Sequence, residues 1–161
     1  MTSDTIVHEN PVWRMRANFI VAAKIDPAPT SAQWKWEQLW AEQVSENRFI
    51  LCCIPFFIYD LALGDEVETG SHRESRYMVQ RVVNPSGRFT FRAWFHDPSA
   101  RDVVARELDR LGCLMEWRSI SSNLLAIDVA SDAQVQAVAN YLRDREQLGH
   151  LVYETGRGKA H

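Results

Sequence analysis

The second half of the chain constrains the fold most, because its elements follow one another in a complete, recognisable order. Apolar and polar residues alternate after Gly87, which is the period of a strand with one buried face. The apolar face of this strand consists of Phe89, Phe91, Ala93 and Phe95. Asp97 followed by Pro98 is typical of a helix start, and Gly112 is typical of a helix end.

The remaining residues of this half predict the other elements of the same unit. Strands are expected over 113–118, 124–130 and 150–154, and Ser131 with Gln134 forms a capping box that begins a helix ending at Gly149. The order strand-helix-strand-strand-helix-strand specifies a ferredoxin-like sandwich. That architecture carries many unrelated functions, so it does not identify this one.

The first half of the chain predicts a small antiparallel sheet. Short strands separated by turn residues are expected over 12–25, 48–54, 66–68 and 76–83, and residues 33–44 fit either a bent strand or a short helix. Such a series suggests a partly closed sheet or partial barrel. The fold class is therefore α+β, with this N-terminal sheet packed against a C-terminal ferredoxin-like βαββαβ sandwich.

The same patterns give an organisation in four parts. Residues 1–10 are expected to be a disordered tail, 11–87 an N-terminal antiparallel β subdomain, 88–154 a ferredoxin-like subdomain and 155–161 a flexible tail.

Composition restricts where the chain acts and what it binds. No apolar run approaches the roughly 20 residues of a membrane helix, and Met1–Asp4 lacks the basic start of a secretion signal, so a cytoplasmic location is expected. The net charge is −3, and neither half supplies the basic surface that nucleic acids require. The three cysteines Cys52, Cys53 and Cys113 fit a reducing compartment and lack zinc-site spacing. No nucleotide-binding glycine motif occurs, and no cofactor is expected.

Several tracts together resemble a bacterial family known as domain of unknown function 4265. The tracts, in chain order, are 36–42, 48–51, 54–57, 61–68 and 85–92. The Pro55-Phe56-Phe57 motif paired with Gly64-Asp65-Glu66-Val67 is the most specific part, and the resemblance covers about Phe19 to Tyr153. The family carries no established activity, so the resemblance implies a shared fold and no catalytic residues.

The segment from Pro55 to Val67 has two interpretations. In the structural one, Gly64 adopts a positive φ and Asp65 bonds to nearby amides. In the functional one, Tyr59, Asp60 and Asp65 form the polar rim of a pocket.

Acidic residues in the same region also suggest a metal-assisted or two-carboxylate hydrolase. Glu66 and Glu68 share one face of a strand, and Asp60 and Asp65 lie nearby in the sequence. A solvated strand face explains the same residues. A nucleophilic cysteine is disfavoured, because no histidine or basic residue adjoins Cys52 or Cys53 in sequence.

The face of the first C-terminal strand that points away from the helices carries Arg92, Trp94 and His96. An exposed tryptophan between cations is typical of a binding surface. The alternative is that this face packs against the N-terminal sheet and buries Trp94.

Three functions remain open from the sequence, and an enzyme is the less favoured class. The first is a non-catalytic protein-binding module, such as an immunity-type or regulatory protein, whose acidic N-terminal half (−4) suits a basic partner. The second is a small-molecule-binding or sensing domain. The third is a metal-assisted hydrolase that uses Asp65, Glu66 or Glu68. A homo-oligomer is possible in each case.

Overall fold

The computed structural model describes residues 5–25, 35–73 and 75–157. These residues form ten strands in two sheets, together with two α-helices and one short 3-10 helix. The strands are β1 (Thr5–Ile6), β2 (Phe19–Lys24), β3 (Trp36–Ser45), β4 (Arg48–Leu51), β5 (Glu66–His72), β6 (Ser75–Asn84), β7 (Phe89–Phe95), β8 (Leu114–Trp117), β9 (Leu124–Val129) and β10 (Leu151–Thr155). The 3-10 helix is Pro98–Ala100, and the α-helices are α1 (Arg101–Arg110) and α2 (Asp132–Gln147).

Strands β2 to β6 form a small barrel-like sheet. Each strand pairs antiparallel with the next, and β2 and β6 pair in parallel at Ala22 and Met78, which closes the ring. The short strand β1 joins the start of β3 in parallel. Alternating residues such as Leu39 and Ala41 point inward and are fully buried, as the period of a half-buried strand requires.

The ambiguous tract before residue 45 is a strand from Trp36 onward, and the part of it at 33–34 lies outside the described residues. Strand β2 is shorter than the 12–25 that alternation predicts. Residues 13–17 instead form turns, in which the amides of Arg16 and Ala17 donate to the carbonyl of Trp13.

Strands β7 to β10 form the second sheet in the order β10-β7-β9-β8, with every neighbouring pair antiparallel. Both helices pack on one face of it, where the core includes Phe91, Phe95, Val104, Leu108 and Leu142. The mixed α+β class is confirmed.

The helix boundaries follow the sequence signals in part. Asp97 accepts the amide of Ser99, and Gly112 ends the first helical segment with φ of 88°. Ser131 precedes α2, but its side chain makes no capping bond to an amide. The Ser131 hydroxyl instead donates to Gln134 Oε1 at 3.3 Å, and Gln134 Nε2 donates to the carbonyl of Leu111 at 3.0 Å, so the predicted capping box does not form.

Chain ends that the sequence predicts to be disordered are ordered wherever the structure describes them. Ile6 and His8 are 2% and 3% exposed, so the disorder predicted for residues 1–10 is wrong for 5–10, and residues 1–4 lie outside the description. At the other end, Thr155 belongs to β10 and the amide of Gly156 donates to Thr90 at 2.8 Å. Residues 158–161 lie outside the described part.

The two sheets meet at the face of the second sheet that the helices leave uncovered. Leu124 and Ala126 of β9 point into the same buried cluster as Leu39 and Phe49 of the barrel-like sheet. The division into subdomains at residue 87 stays a prediction, although the chain does pass between sheets after Asn84. Among the described residues, no helix is long and apolar enough to span a membrane.

Candidate functional site

An open groove lies where the β4–β5 loop meets the uncovered face of the second sheet. Its volume is about 440 Å³. We call it the aromatic groove, and it is lined by Ile25, Phe56, Phe57, Tyr59, Arg92, Trp94, Leu124, Val152, Tyr153 and Glu154. Aromatic and aliphatic side chains therefore make up most of its wall.

Strand register explains how the sheet supplies one side of the aromatic groove. Residues two apart on a strand share a face, so Arg92 and Trp94 of β7 lie side by side. On the neighbouring strand, Val152 pairs with Trp94, and Glu154 pairs with Arg92. Trp94 is 49% exposed and Val152 is 44% exposed, so this side of the groove presents apolar surface to solvent.

Three polar side chains close one end of the aromatic groove. Arg92 donates to the carbonyls of Pro55 (3.3 Å) and Ile58 and to Glu154 Oε2 at 3.3 Å. The Tyr59 hydroxyl donates to the same carboxylate at 2.8 Å, and the Arg92 guanidinium lies 4.9 Å from the Tyr59 ring centre. Burial, and then the adjacent Glu154 carboxylate, raise the pKa of Tyr59, so its hydroxyl is a donor at neutral pH.

The opposite wall of the aromatic groove is held by a buried cluster that the sequence did not reveal. Its centre is His8, whose ring stacks on Phe56 with centroids 4.2 Å apart and planes 9° from parallel. His8 Nε2 contacts Glu37 Oε2, and Nδ1 contacts Glu116 Oε1, both at 2.7 Å. We call His8, Glu37 and Glu116 the histidine cluster.

The two carboxylates of the histidine cluster also bind backbone amides of the β4–β5 loop. Glu37 accepts the amides of Phe56 (2.7 Å) and Phe57 (2.9 Å), and Glu116 accepts the amide of Ile54 at 2.7 Å. A carboxylate buried among several N–H donors is well satisfied despite leaving water. The cluster thus positions Phe56 and Phe57, which line the groove.

Burial and hydrogen bonding act in opposite directions on the imidazole of the histidine cluster. Burial alone lowers the pKa of His8, but Cys53, Glu116 and Glu37 together outweigh burial and raise the pKa well above its ordinary value. His8 is therefore the cationic partner of the two carboxylates. Burial raises the pKa of Cys53, so the nearby histidine does not make this thiol a reactive thiolate.

The sequence left open whether Arg92, Trp94 and His96 form an exposed surface or pack against the N-terminal sheet. The structure buries the first of them and exposes the other two. Arg92 is 3% exposed and bonds to the β4–β5 loop, as packing against the N-terminal half requires. Trp94 is half exposed in the groove, so this face is not buried throughout. His96 is exposed and does not line the groove.

The structural interpretation of the Gly-Asp motif is confirmed. Gly64 has φ of 83°, and Asp65 is 5% exposed and accepts the amides of Ala62 (2.9 Å) and Ser86 (2.8 Å). Asp60 also has a positive φ, of 64°. Asp60 and Asp65 line a second cavity and not the aromatic groove, so only Tyr59 of the predicted polar rim reaches the groove.

The acidic pair Glu66 and Glu68 lies on the barrel-like sheet and not in the groove. Glu68 bonds to Arg81 at 3.0 Å, and Glu66 bonds to Asn84 at 3.2 Å; Arg48 lies 3.8 Å from each carboxylate. These glutamates thus interact with side chains of adjacent strands. Within residues 5–25, 35–73 and 75–157, no group of three or more His, Cys, Asp or Glu side chains is arranged to hold a metal ion.

Comparison with known families identifies the family to which the chain belongs. The family model described as "Domain of unknown function (DUF4265)" matches residues 37–153. The chain belongs to this family. The span matched to DUF4265 contains Glu37 and Glu116 but not His8, and it contains every groove residue except Ile25 and Glu154.

Comparison with solved structures supports the fold alone. A crystal structure of a hypothetical protein from Neisseria gonorrhoeae superposes with a TM-score of 0.71 at 16% sequence identity, covering 89% of this chain and 99% of that one. No curated protein matches the sequence.

Proposed function

We propose that this protein is a binding protein whose aromatic groove takes a small, largely apolar molecule. The observation that carries the proposal is the groove itself, which combines apolar walls with one polar end in a volume of about 440 Å³. Ligand pockets commonly measure about 300–1,000 Å³ and carry a few convergent polar groups on apolar walls.

The exposure of the groove side chains supports the same function. Trp94 and Val152 pair across adjacent strands and leave about half of their surface in water. Fully burying a large apolar side chain is worth about 1.5–3 kcal/mol, so a molecule that covers the exposed half of Trp94 or Val152 gains about half of that from each. At the polar end Arg92 and Tyr59 hold the Glu154 carboxylate in place, and this carboxylate supplies the hydrogen bonds that orient the molecule.

A thermal-shift screen of small apolar and amphiphilic metabolites tests the proposal. A ligand at 100 times its dissociation constant adds about 2.7 kcal/mol to the free energy of unfolding, so we expect hits that raise the melting temperature. Trp94→Ala should abolish the shift. Ile120→Ala is the matched control, because Ile120 is 90% exposed but lies outside the groove. A flat screen, or hits that survive Trp94→Ala, would contradict the proposal.

A protein partner is a second candidate occupant, which the exposed Trp94 and Val152 also favour. Tryptophan and tyrosine are enriched among the interface residues that contribute most to binding, and the groove carries the exposed Trp94 and Tyr59. An immunity-type or regulatory protein is one form of this function. The test is complex formation with the purified product of a neighbouring gene, measured by size-exclusion chromatography with wild-type protein and Trp94→Ala. Equal elution of the mixture and the separate proteins would count against it.

For the second sheet and its helices we propose the ferredoxin-like arrangement. The order β10-β7-β9-β8 with every pair antiparallel supports this topology, as does the packing of both helices on one face. An experimental structure with a parallel neighbouring pair in this sheet would contradict it.

A further inference from the structure

We propose that the ligand of the aromatic groove is an organic cation, with an ammonium or amidinium group on an apolar body. This inference rests on the proposed small-molecule function and adds the charge of the ligand. The positive group binds at Glu154, and the apolar body lies against Trp94 and Val152.

The first argument is the difference in accessibility between the two charged groups that line the groove. The side chain of Glu154 is 49% exposed, whereas that of Arg92 is only 3% exposed. A ligand that reaches the polar end therefore meets a carboxylate, and the arginine that partly neutralises this carboxylate lies behind it.

The second argument is the hydrogen-bonding capacity that remains at this end. A carboxylate offers about four acceptor positions, and Glu154 receives the Tyr59 hydroxyl and one N–H of Arg92. It can still accept N–H groups from a ligand. Arg92 is directed instead to the carbonyls of Pro55 and Ile58 and to Glu154, so an anionic ligand would have to displace Glu154 to reach it.

The third argument is the aromatic character of the wall. Cations are attracted to the faces of aromatic rings within about 6 Å of the centroid. The groove already contains such a contact, because the Arg92 guanidinium lies 4.9 Å from the centre of the Tyr59 ring. Trp94 is half exposed and lies two residues from Arg92 on the same strand face, so a cation bound at Glu154 has an aromatic side chain beside it.

The test uses three probes with one apolar body and different end groups: 4-phenylbutylamine, 4-phenylbutanol and 4-phenylbutyrate. Isothermal titration calorimetry at one pH and one salt concentration gives their dissociation constants. We expect the amine to bind about tenfold more tightly than the alcohol, because both donate a hydrogen bond to the Glu154 carboxylate but only the ammonium adds the Coulombic attraction of a full positive charge. The butyrate should bind most weakly.

A substitution that removes the charge of Glu154 tests whether this residue causes the preference for the amine over the alcohol. Glu154→Gln keeps an acceptor for Tyr59 but removes the negative charge, and it should bring the amine to within about twofold of the alcohol, since the Coulombic attraction between the carboxylate and the ammonium is lost. Glu42→Gln is the matched control. Glu42 is also an arginine-paired strand glutamate, 2.7 Å from Arg16, but it lies outside the groove, so this variant should keep the full preference.

The outcomes separate this inference from the proposed function. An alcohol or butyrate that binds as tightly as the amine overturns the cationic ligand and leaves the groove as a binding site. Failure of all three probes overturns the inference as well, and the metabolite screen then decides the proposed function independently. Should Glu154→Gln fail to fold, the ranking of the three probes on the wild-type protein decides the question alone.

Discussion

At the scale of single residues, His8 is the centre of the buried charged cluster beside the groove. It lies between two carboxylates from different sheets and stacks on an aromatic residue of the groove wall. Removing one member of a buried ionic group is costly, because the partner charges stay buried and uncompensated. A raised pKa at His8 is therefore coupled to the stability of the fold.

The protonation of His8 gives the first prediction at this scale. In the unfolded chain a histidine loses its proton near an ordinary pKa of about 6.5, whereas folded His8 should keep it to higher pH. The stability that His8 contributes is then complete below about pH 6.5 and is lost as pH rises through the folded pKa. Over that interval the free energy of unfolding should fall by up to about 1.4 kcal/mol per pH unit.

Imidazole ¹⁵N chemical shifts followed against pH measure this directly, and His8→Gln identifies the His8 signals. The same titration of the urea-unfolded chain is the control, in which all histidines should deprotonate near their ordinary pKa of about 6.5. A folded His8 that deprotonates at or below that pH would contradict the interpretation.

The histidine cluster also shows that the direction of a side chain can be predicted from sequence, whereas its distant contact partner cannot. Glu37 shares its strand face with Leu39 and Ala41, and that two-residue period was a usable signal that Glu37 points inward. The identity of its partner was not accessible in the same way. His8 lies 29 residues from Glu37 and 108 residues from Glu116, and no local pattern reports such contacts.

At the scale of elements, the β4–β5 loop forms one wall of the groove and is held at several points. Its Gly64 has φ of 83°, and the adjacent Asp65 bonds the amide of Ser86. A Cβ placed on Gly64 would lie 3.1 Å from the Cβ of Ser86. Ser86 cannot easily move away, because its hydroxyl also donates to Leu63 at 2.8 Å.

Gly64→Ala should therefore destabilise the protein by more than its backbone conformation alone explains. Gly149→Ala is the matched control, because Gly149 has nearly the same φ (80°) but open space around its Cβ position. We expect about 1–2 kcal/mol for the control from the left-handed backbone, and about 1 kcal/mol more for Gly64→Ala from the crowding. Urea unfolding measures both; equal losses would show that Ser86 moves aside.

Elements were predicted best where local signals were strong. The alternation from Phe89 to Phe95, and the helix ends near Gly112 and Gly149, correspond closely to β7, α1 and α2. The capping box at Ser131 was wrong because the Ser131 hydroxyl donates to Gln134 Oε1, the oxygen that a capping box directs to a backbone amide, while Gln134 Nε2 bonds to Leu111 outside its own helix. The groove was predicted only in part: Tyr59, Arg92 and Trp94 line it, whereas its Glu154 was not singled out. The register of β7 with β10 brings Glu154 to Arg92, and register is decided by the assembled sheet.

At the scale of the whole molecule, the histidine cluster joins three parts of the chain. Its members come from the segment after β1, from β3 of the barrel-like sheet and from β8 of the second sheet. Because Leu124 and Ala126 of the second sheet are buried in the same region, breaking the polar contact disturbs an interface that both sheets share. The two halves should therefore unfold in one transition.

A double-mutant cycle between His8 and Glu116 tests this coupling. His8→Gln should cost about 3–5 kcal/mol, because it leaves two buried carboxylates without their cation. Glu116→Gln leaves the His8–Glu37 pair balanced and should cost less, about 1–3 kcal/mol, for the weakened hydrogen bonds to His8 and Ile54. The double variant should cost less than the sum by about 1–3 kcal/mol, since directly contacting residues are not additive. Urea unfolding at constant pH supplies all four free energies.

The control cycle combines His8→Gln with Asp128→Asn. Asp128 is also a buried carboxylate of the second sheet, but it pairs with Arg88 at 2.6 Å and not with His8. Its effect should add to that of His8→Gln within about 0.5 kcal/mol, as for independent sites. Additivity in both cycles would mean that the His8–Glu116 contact does not link the sheets energetically. A coupling confined to His8 and Glu116 would mean that the segment after β1, although it precedes the span matched to DUF4265, helps to hold the two sheets of this protein together.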